Sequence, residues 1–200
     1  MRVRYFVLVG IGLFLVVAGL LVSQSLARSY TFQGSLIDPP LQAEEIVLVD
    51  QHGQVFRLSE QRGHVVLLYF GYTYCPDVCP ATLAQYRQIK IALGDKAEQV
   101  RFVFITVDPE RDTPEQIRSY LERFDASFIG LSGPKADLER VWKDYGIYVR
   151  KNETESSTGY LVDHSARIYL VDPQGNLRLT YSFGTDSQPI VQDVLHLLRE

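Results

Sequence analysis

The chain contains two cysteines, Cys75 and Cys79, four positions apart in Cys75-Pro76-Asp77-Val78-Cys79-Pro80, directly after the apolar run 64–70. A thiolate is both a soft metal ligand and a nucleophile. A thiol pair on the turn after a strand therefore suits a copper or zinc site, or a thiol-disulfide couple. A structural disulfide, or two cysteines simply buried in the core, is the third reading.

A spacing of four constrains the pair without choosing among these. On the first turn of a helix the two side chains share one face, with Cβ atoms about 5–6 Å apart. Two sulfurs bound to one ion at about 2.3 Å, by analogy with zinc, sit about 4 Å apart, which this spacing permits. It also permits a disulfide, whose Cα atoms lie about 4.4–6.8 Å apart. Helix N-terminal amides would favour the thiolate form of at least Cys75, which assists metal capture and redox attack alike.

The elements around the pair alternate between strand and helix. Residues 46–49 and 55–58, joined by a turn at Gln51-His52-Gly53, predict a hairpin, and 64–70 the next strand. Pro80 opens a predicted helix over 81–93 that Gly94 ends. Residues 100–107 form a strand, and Thr113-Pro114-Glu115-Gln116 combines a capping threonine, a first-turn proline and a reaching glutamine ahead of a helix to about Phe124. A short strand at 128–131 follows, then a helix over 134–145 in which Trp142 reads as core. After 147–150 the polar stretch 151–158 is an exposed loop or hairpin tip. Segments 164–171 and 177–183 flank Asp172-Pro173-Gln174-Gly175-Asn176 as a hairpin, and 190–198 is a closing amphipathic helix. A cysteine at the end of a strand that runs into a helix, within this order, is the layout of an α/β thioredoxin-like three-layer sandwich with an added N-terminal hairpin.

Length and charge bound the rest. With 200 residues, 46% of them hydrophobic, one globular domain is expected, assigned to residues 44–200. Residues 1–28 hold three arginines and no acid, so the remainder carries 17 basic against 24 acidic side chains, a net of −7. Such a surface lacks the cationic clusters that phosphate neutralisation requires, which excludes nucleic acid as a partner. Residues 1–27 read as a membrane-directed segment: two early arginines, then 17 apolar or glycine residues over 6–22. That run reaches the lower limit of about 17–25 residues for a transmembrane helix and exceeds the 7–15 of a signal peptide's apolar region. An uncleaved single-pass anchor in the inner (cytoplasmic) membrane is favoured over a signal cleaved after Ser25-Leu26-Ala27. The arginine bias leaves the N-terminus cytoplasmic and the cysteines on the periplasmic or extracytoplasmic side. There disulfides persist, so the pair must be kept reduced when its thiolates are wanted. Residues 28–43, with Asp38-Pro39-Pro40 and little periodicity, read as a linker.

The run from Tyr69-Phe70-Gly71-Tyr72-Thr73-Tyr74 through Cys75 and Cys79 to Pro80 resembles the signature of the Sco/SenC family of copper-handling proteins. Val107-Asp108-Pro109-Glu110-Arg111-Asp112-Thr113-Pro114-Glu115 and the stretch from Asp163-His164-Ser165 to Asp172-Pro173 resemble its other two motifs, in the same order. The resemblance covers the chain from about Val47 onward. It implies a membrane-tethered thioredoxin fold that binds copper through both cysteines and a distant histidine, and assists assembly of the dinuclear copper centre of cytochrome c oxidase.

His164 is then the candidate third ligand. Two thiolates offer Cu(I) a two-coordinate site, whereas an added imidazole lets the site hold Cu(II) as well. His164 is expected to open a strand in which it shares a face with Ala166, Ile168 and Leu170. It lies where ordinary thioredoxins place a cis-proline opposite their cysteines, and Asp163-His164-Ser165 has none. The leading expectation is a metallochaperone, rather than an enzyme, with Cys75, Cys79 and His164 as ligands for Cu(I) and Cu(II). Its partners would be the copper-site subunit of cytochrome c oxidase and a donor protein the sequence does not name. The second expectation is a thiol-disulfide reductase acting on that subunit's cysteines, Cys75 attacking and Cys79 resolving. A peroxiredoxin-like peroxidase ranks lower, because Thr73-Tyr74-Cys75 lacks the Thr-x-x-Cys spacing. His52, His64 and His196 are expected to be solvated or structural, as is Asp77. Asp108, Arg111 and Asp112 read as turn and cap chemistry or a partner surface, and Tyr72 and Tyr74 as a shield and docking surface over the site.

Overall fold

Residues 65–71, Val-Val-Leu-Leu-Tyr-Phe-Gly, are buried without interruption, which is how a strand covered on both faces must read. In the computed structural model, which describes residues 30–153 and 159–200, this strand is the centre of the fold. The strands are β1 Ser35–Gln42, β2 Val47–Asp50, β3 Val55–Arg57, β4 Val65–Gly71, β5 Val100–Thr106, β6 Ile129–Ser132, β7 Val149–Glu153, β8 Tyr160–His164, β9 Arg167–Val171 and β10 Asn176–Ser182. The helices are α1 Val78–Leu93, α2 Pro114–Leu121, α3 Lys135–Asp144 and α4 Ser187–Leu197.

Among the described residues the main sheet runs β1-β10-β9-β4-β5-β6-β2-β3. β4, β5 and β6 are parallel, joined through α1 and α2, while β9 and β10 return antiparallel beside β4. Alternation along β4 sends neighbouring rings to opposite faces: Tyr69 meets Phe104 and Cys79 on the α1 side, and Phe70 meets Tyr145 beyond the end of α3. The expected N-terminal hairpin is present as β2–β3, with β2 added antiparallel to β6. Thr113 caps α2 as expected, its hydroxyl accepting the Gln116 amide at 3.2 Å with Pro114 at the first helical position. The glutamine side chain does not reach back to the cap. Instead it donates to the Thr73 hydroxyl at 3.2 Å, bracing the cysteine loop.

Residues 35–42, expected as part of a linker, form β1, paired antiparallel with β10 at the sheet edge. The compact unit accordingly begins at Phe32. β1 is exposed along nearly its whole length, so no apolar alternation marks it. Its prolines are tolerated because an edge strand need not donate outward and its register shifts between Leu36 and Leu41. The expected transmembrane segment lies outside the described residues. Among those described, no helix is long and apolar enough to cross a membrane.

The topology also fixes where chemistry gathers. β4 ends at Gly71 and hands the chain to the cysteine loop, and its antiparallel neighbour β9, whose Ile168 pairs with Tyr69, begins at that same rim. Residues just before β9 therefore face residues just after β4. Carboxyl ends of sheet strands are the usual place for ligands in open α/β folds.

Candidate metal centre

Three packing constraints shape the cysteine loop. A Cβ at Gly71 would lie 2.8 Å from the Tyr69 ring and 3.0 Å from Cys79 Sγ, so only glycine lets the strand end approach the sulfur this closely. Two residues on, Thr73 is pinned by buried Asp112. The Thr73 amide donates to that carboxylate at 3.1 Å and the Thr73 hydroxyl at 2.7 Å, and the Thr106 hydroxyl donates from below at 2.6 Å. The chain then turns, the Cys75 amide donating to the Tyr72 carbonyl at 3.2 Å.

The two cysteines do not share a helical turn, as the spacing had suggested. α1 begins at Val78, so only Cys79 is helical; Cys75 lies in the preceding turn. Asp77, between them, has non-helical dihedrals and makes no side-chain cap hydrogen bond. The turn folds Cys75 back over the helix start, where the Cys79 amide donates to its sulfur at 3.4 Å. The helix-end amide thus stabilises the Cys75 thiolate as expected, through a different local geometry.

His164 also stands elsewhere than expected. It closes β8 in a separate two-stranded sheet with β7, rather than opening β9. Ser165 and Ala166 interrupt the chain between β8 and β9. Ser165 and Tyr148 exchange hydrogen bonds, the Ser165 amide donating to the Tyr148 carbonyl and the Tyr148 amide to the Ser165 hydroxyl. The imidazole nevertheless faces the thiols, with Nε2 3.6 Å from Cys79 Sγ. Nδ1 lies 3.2 Å from the Ser165 carbonyl oxygen. A carbonyl oxygen can only accept, so this contact puts the ring proton on Nδ1 and the Nε2 lone pair toward the sulfurs. Tyr69 and Tyr72 stand edge-on to the ring, at 6.2 and 5.8 Å between centroids. The two sulfurs and the imidazole nitrogen all lie within 4.8 Å of one another, and no other group of three potential ligands converges among the described residues.

The two thiols titrate in opposite senses. A hydrogen bond from Cys79 holds the Cys75 thiol far below its ordinary value, at about 4, against the opposing effect of burial; the backbone amides of Asp77 and Cys79 act in the same direction as Cys79. Burial, followed by the neighbouring Cys75, pushes the Cys79 thiol up. At neutral pH the reduced pair therefore holds one thiolate on Cys75 and one proton on Cys79. Alkylation of the reduced chain by iodoacetamide should modify Cys75 first. Its rate should level off by about pH 6, against a midpoint near 8.5 for a free thiol. A rate that climbs through pH 8 to 9 would contradict this assignment.

One neighbour was not visible as functional in the sequence. Tyr69, within the buried β4 run, directs its hydroxyl to Cys79 Sγ at 3.4 Å. Burial, then the adjoining sulfur, push that hydroxyl's pKa up, so it remains a donor. A hydroxyl-bearing ring two residues before the glycine of an apolar strand was the available signal. The other histidines lie apart from the cluster: His52 is exposed in a turn, His64 contacts Arg101 at 2.9 Å, and His196 lies 3.1 Å from Glu200. Trp142 is core, as expected, its indole N–H donating to the Thr106 carbonyl at 3.1 Å.

A thioredoxin-like sandwich with two thiols and an imidazole gathered at one rim of its sheet defines a protein that handles soft metals or disulfides. The sequence profile of the SCO1/SenC family matches residues 37–199, and the chain belongs to that family. The SCO2-like protein of Rickettsia prowazekii is 36% identical over 146 residues, covering 72% of this chain and 71% of that protein. The copper-bound structure of Bradyrhizobium japonicum ScoI is similar at a TM-score of 0.72 and 35% identity, covering 78% of this chain and 98% of that one. BsSco, a member of the Sco family of cytochrome c oxidase assembly proteins in which a disulfide switch was identified, is similar at a TM-score of 0.67 and 25% identity, covering 82% of this chain and 98% of that one.

Proposed function

We propose that this chain is a membrane-tethered copper metallochaperone that delivers copper to the dinuclear copper site of cytochrome c oxidase during its assembly. The observation that carries the reading is the convergence of Cys75 Sγ, Cys79 Sγ and His164 Nε2 within 4.8 Å. Two thiolates and a neutral imidazole are a donor set for copper in both oxidation states, the sulfurs meeting the soft Cu(I) ion and the nitrogen supporting Cu(II). Three ligands also leave a position free. A cysteine or histidine of the acceptor can enter there and take the ion by stepwise exchange, which a closed four-ligand cage would resist. The copper-bound Bradyrhizobium relative and the oxidase-assembly association of BsSco support the cargo and the partner. The apolar run at 6–22 behind two arginines supports a tether in the inner membrane, with the site on the outer side where the oxidase copper subunit is assembled.

A second reading, a thiol-disulfide reductase acting on the acceptor's cysteines, is favoured by the thiolate on Cys75 beside a protonated Cys79. In that reaction the Cys75 thiolate attacks the acceptor disulfide to form a mixed disulfide. Cys79, losing its proton, resolves it, so that this pair is oxidised by two electrons as the acceptor is reduced to two thiols. The readings separate in one experiment with the purified full chain, reduced and given Cu(I) under anaerobic conditions. As a chaperone it retains about one copper per chain and passes it to a reduced, metal-free oxidase copper subunit. As a reductase, the metal-free chain reduces the oxidised subunit, Cys79→Ala accumulates the mixed disulfide, and His164→Ala retains the activity. Failure to retain copper would remove the first reading.

A further inference from the structure

The motif Asp108-Pro109-Glu110-Arg111-Asp112 supplies no metal ligand, yet its arginine touches both halves of the site. We propose that Arg111 is a positioning residue: it clasps the hairpin that carries His164 to the loop that carries the cysteines, and so sets how firmly Cu(II) is held relative to Cu(I). The inference rests on the copper reading above.

β7 and β8 form their own sheet and share no ladder with the main one among the described residues. Apart from the two-residue join through Ser165 and Ala166 to β9, contacts to side chains set where the hairpin holds its imidazole, among them the Val162 amide donating to the Tyr72 hydroxyl at 3.3 Å. On the hairpin side, the Arg111 guanidinium carbon lies 3.5 Å from the centroid of the Tyr160 ring, and Nη1 donates to the Tyr160 carbonyl at 3.0 Å. Tyr160 is the first residue of the strand that His164 ends. On the loop side, the same carbon lies 4.8 Å from the Tyr74 ring and 5.8 Å from the Tyr72 ring, the residues flanking Thr73 just ahead of Cys75. The clasp is closed by Asp108. Its buried carboxylate accepts from Arg111 Nε at 2.5 Å and from the Tyr160 hydroxyl at 2.8 Å. A planar, always-charged guanidinium stacks its face on a ring while its edge donates several hydrogen bonds in fixed directions, a geometry that a compact ammonium does not reproduce.

The two oxidation states should feel this clasp unequally. Cu(I) is satisfied by two thiolates, which the cysteine loop supplies without the hairpin, while Cu(II) needs the imidazole. Outer partners that orient a metal-binding histidine typically change affinity by about 10- to 100-fold when removed.

The test is competition titration of the full chain with Cu(I) and Cu(II) against chelators. Arg111→Met keeps the aliphatic stem and removes the guanidinium. It should weaken Cu(II) binding by about 10- to 100-fold, leave Cu(I) binding within about threefold, and reduce nitrogen hyperfine structure in the Cu(II) paramagnetic resonance spectrum. Arg111→Lys should recover only part of the loss. In the metal-free protein, Arg111→Met should speed amide exchange across 160–164. In a His164→Ala background, Arg111→Met should cost no further Cu(II) affinity, since it acts through the ring. Full additivity of the two substitutions, or equal losses for Cu(I) and Cu(II), would overturn the proposal. Should Arg111→Met fail to fold, Tyr160→Phe carries the test: a smaller, Cu(II)-selective loss is expected, and no selectivity would overturn it. A wild type whose Cu(II) binding is indifferent to His164→Ala would instead overturn the copper reading beneath it.

Discussion

His164→Ala is expected to weaken Cu(II) binding by at least about 100-fold while shifting Cu(I) binding by no more than about tenfold, because on the proposed copper reading it deletes a ligand and not merely a ligand's support. The asymmetry follows from the donor set. Cys75 and Cys79 approach from one side, on a loop and helix start that are separate elements from the β7–β8 hairpin, and two thiolates satisfy Cu(I). Cu(II) placed on thiolates alone tends to oxidise them, so the imidazole at 3.6 Å from Cys79 Sγ matters most in that state. The ring's Nδ1 contact with the Ser165 carbonyl spares it a search for the productive tautomer. Chelator competition in each oxidation state measures the difference. Parallel losses would mean that His164 supports the loop rather than the ion.

Asp112→Ala is expected to destabilise the fold by about 2–4 kcal/mol and to loosen the cysteine loop, since it strands buried donors on Thr73 and Thr106 at once. The wild-type carboxylate has its own pH signature. Burial raises its pKa from 3.8 to about 6, against the lowering by hydrogen bonds from Thr106 and Thr73. A folded-state pKa above the unfolded value means that the native protein binds the proton more readily than the unfolded chain in that interval. This group's contribution to stability is therefore fully present below pH 3.8, falls as pH rises to about 6, and is flat above. Asp112→Asn removes that dependence. Denaturant titrations should show wild type losing stability relative to Asp112→Asn between pH 4.5 and 6.5 and not between 7 and 8; a difference that grows with acidification in the opposite sense would contradict the assignment.

Which parts of this were legible beforehand depended on how local their causes are. β4 announced itself because a strand covered on both faces must be continuously apolar, and α2 because Thr113 and Pro114 fix its first turn through contacts two or three residues away. The β9–β10 turn was similarly local, with Gly175 at a positive φ of 88° that favours glycine. The identity of the three converging side chains followed from the motifs, but their placement did not. A spacing of four suits a helical turn and a folded-back loop equally, and only the break at Asp77 excludes Cys75 from the helix. In the sequence His164 reads as continuous with the apolar run after it. The interruption at Ser165 comes from hydrogen bonds to Tyr148, 17 positions earlier. β1 had no pattern to read because an exposed edge strand needs none. Tyr69 and Arg111 owe their roles to contacts with residues 10 to 49 positions away, which spacing cannot register.

X-ray absorption at the copper edge of the loaded full chain tests the central claim most directly, because it counts the atoms around the ion. Cu(II)-loaded wild type should show two sulfurs at about 2.3 Å and one imidazole nitrogen at about 2.0 Å, by analogy with zinc distances, and His164→Ala should lose the nitrogen while keeping both sulfurs. A shell without both sulfurs, or an imidazole contribution that survives the substitution, would contradict the assignment of Cys75, Cys79 and His164 to one ion.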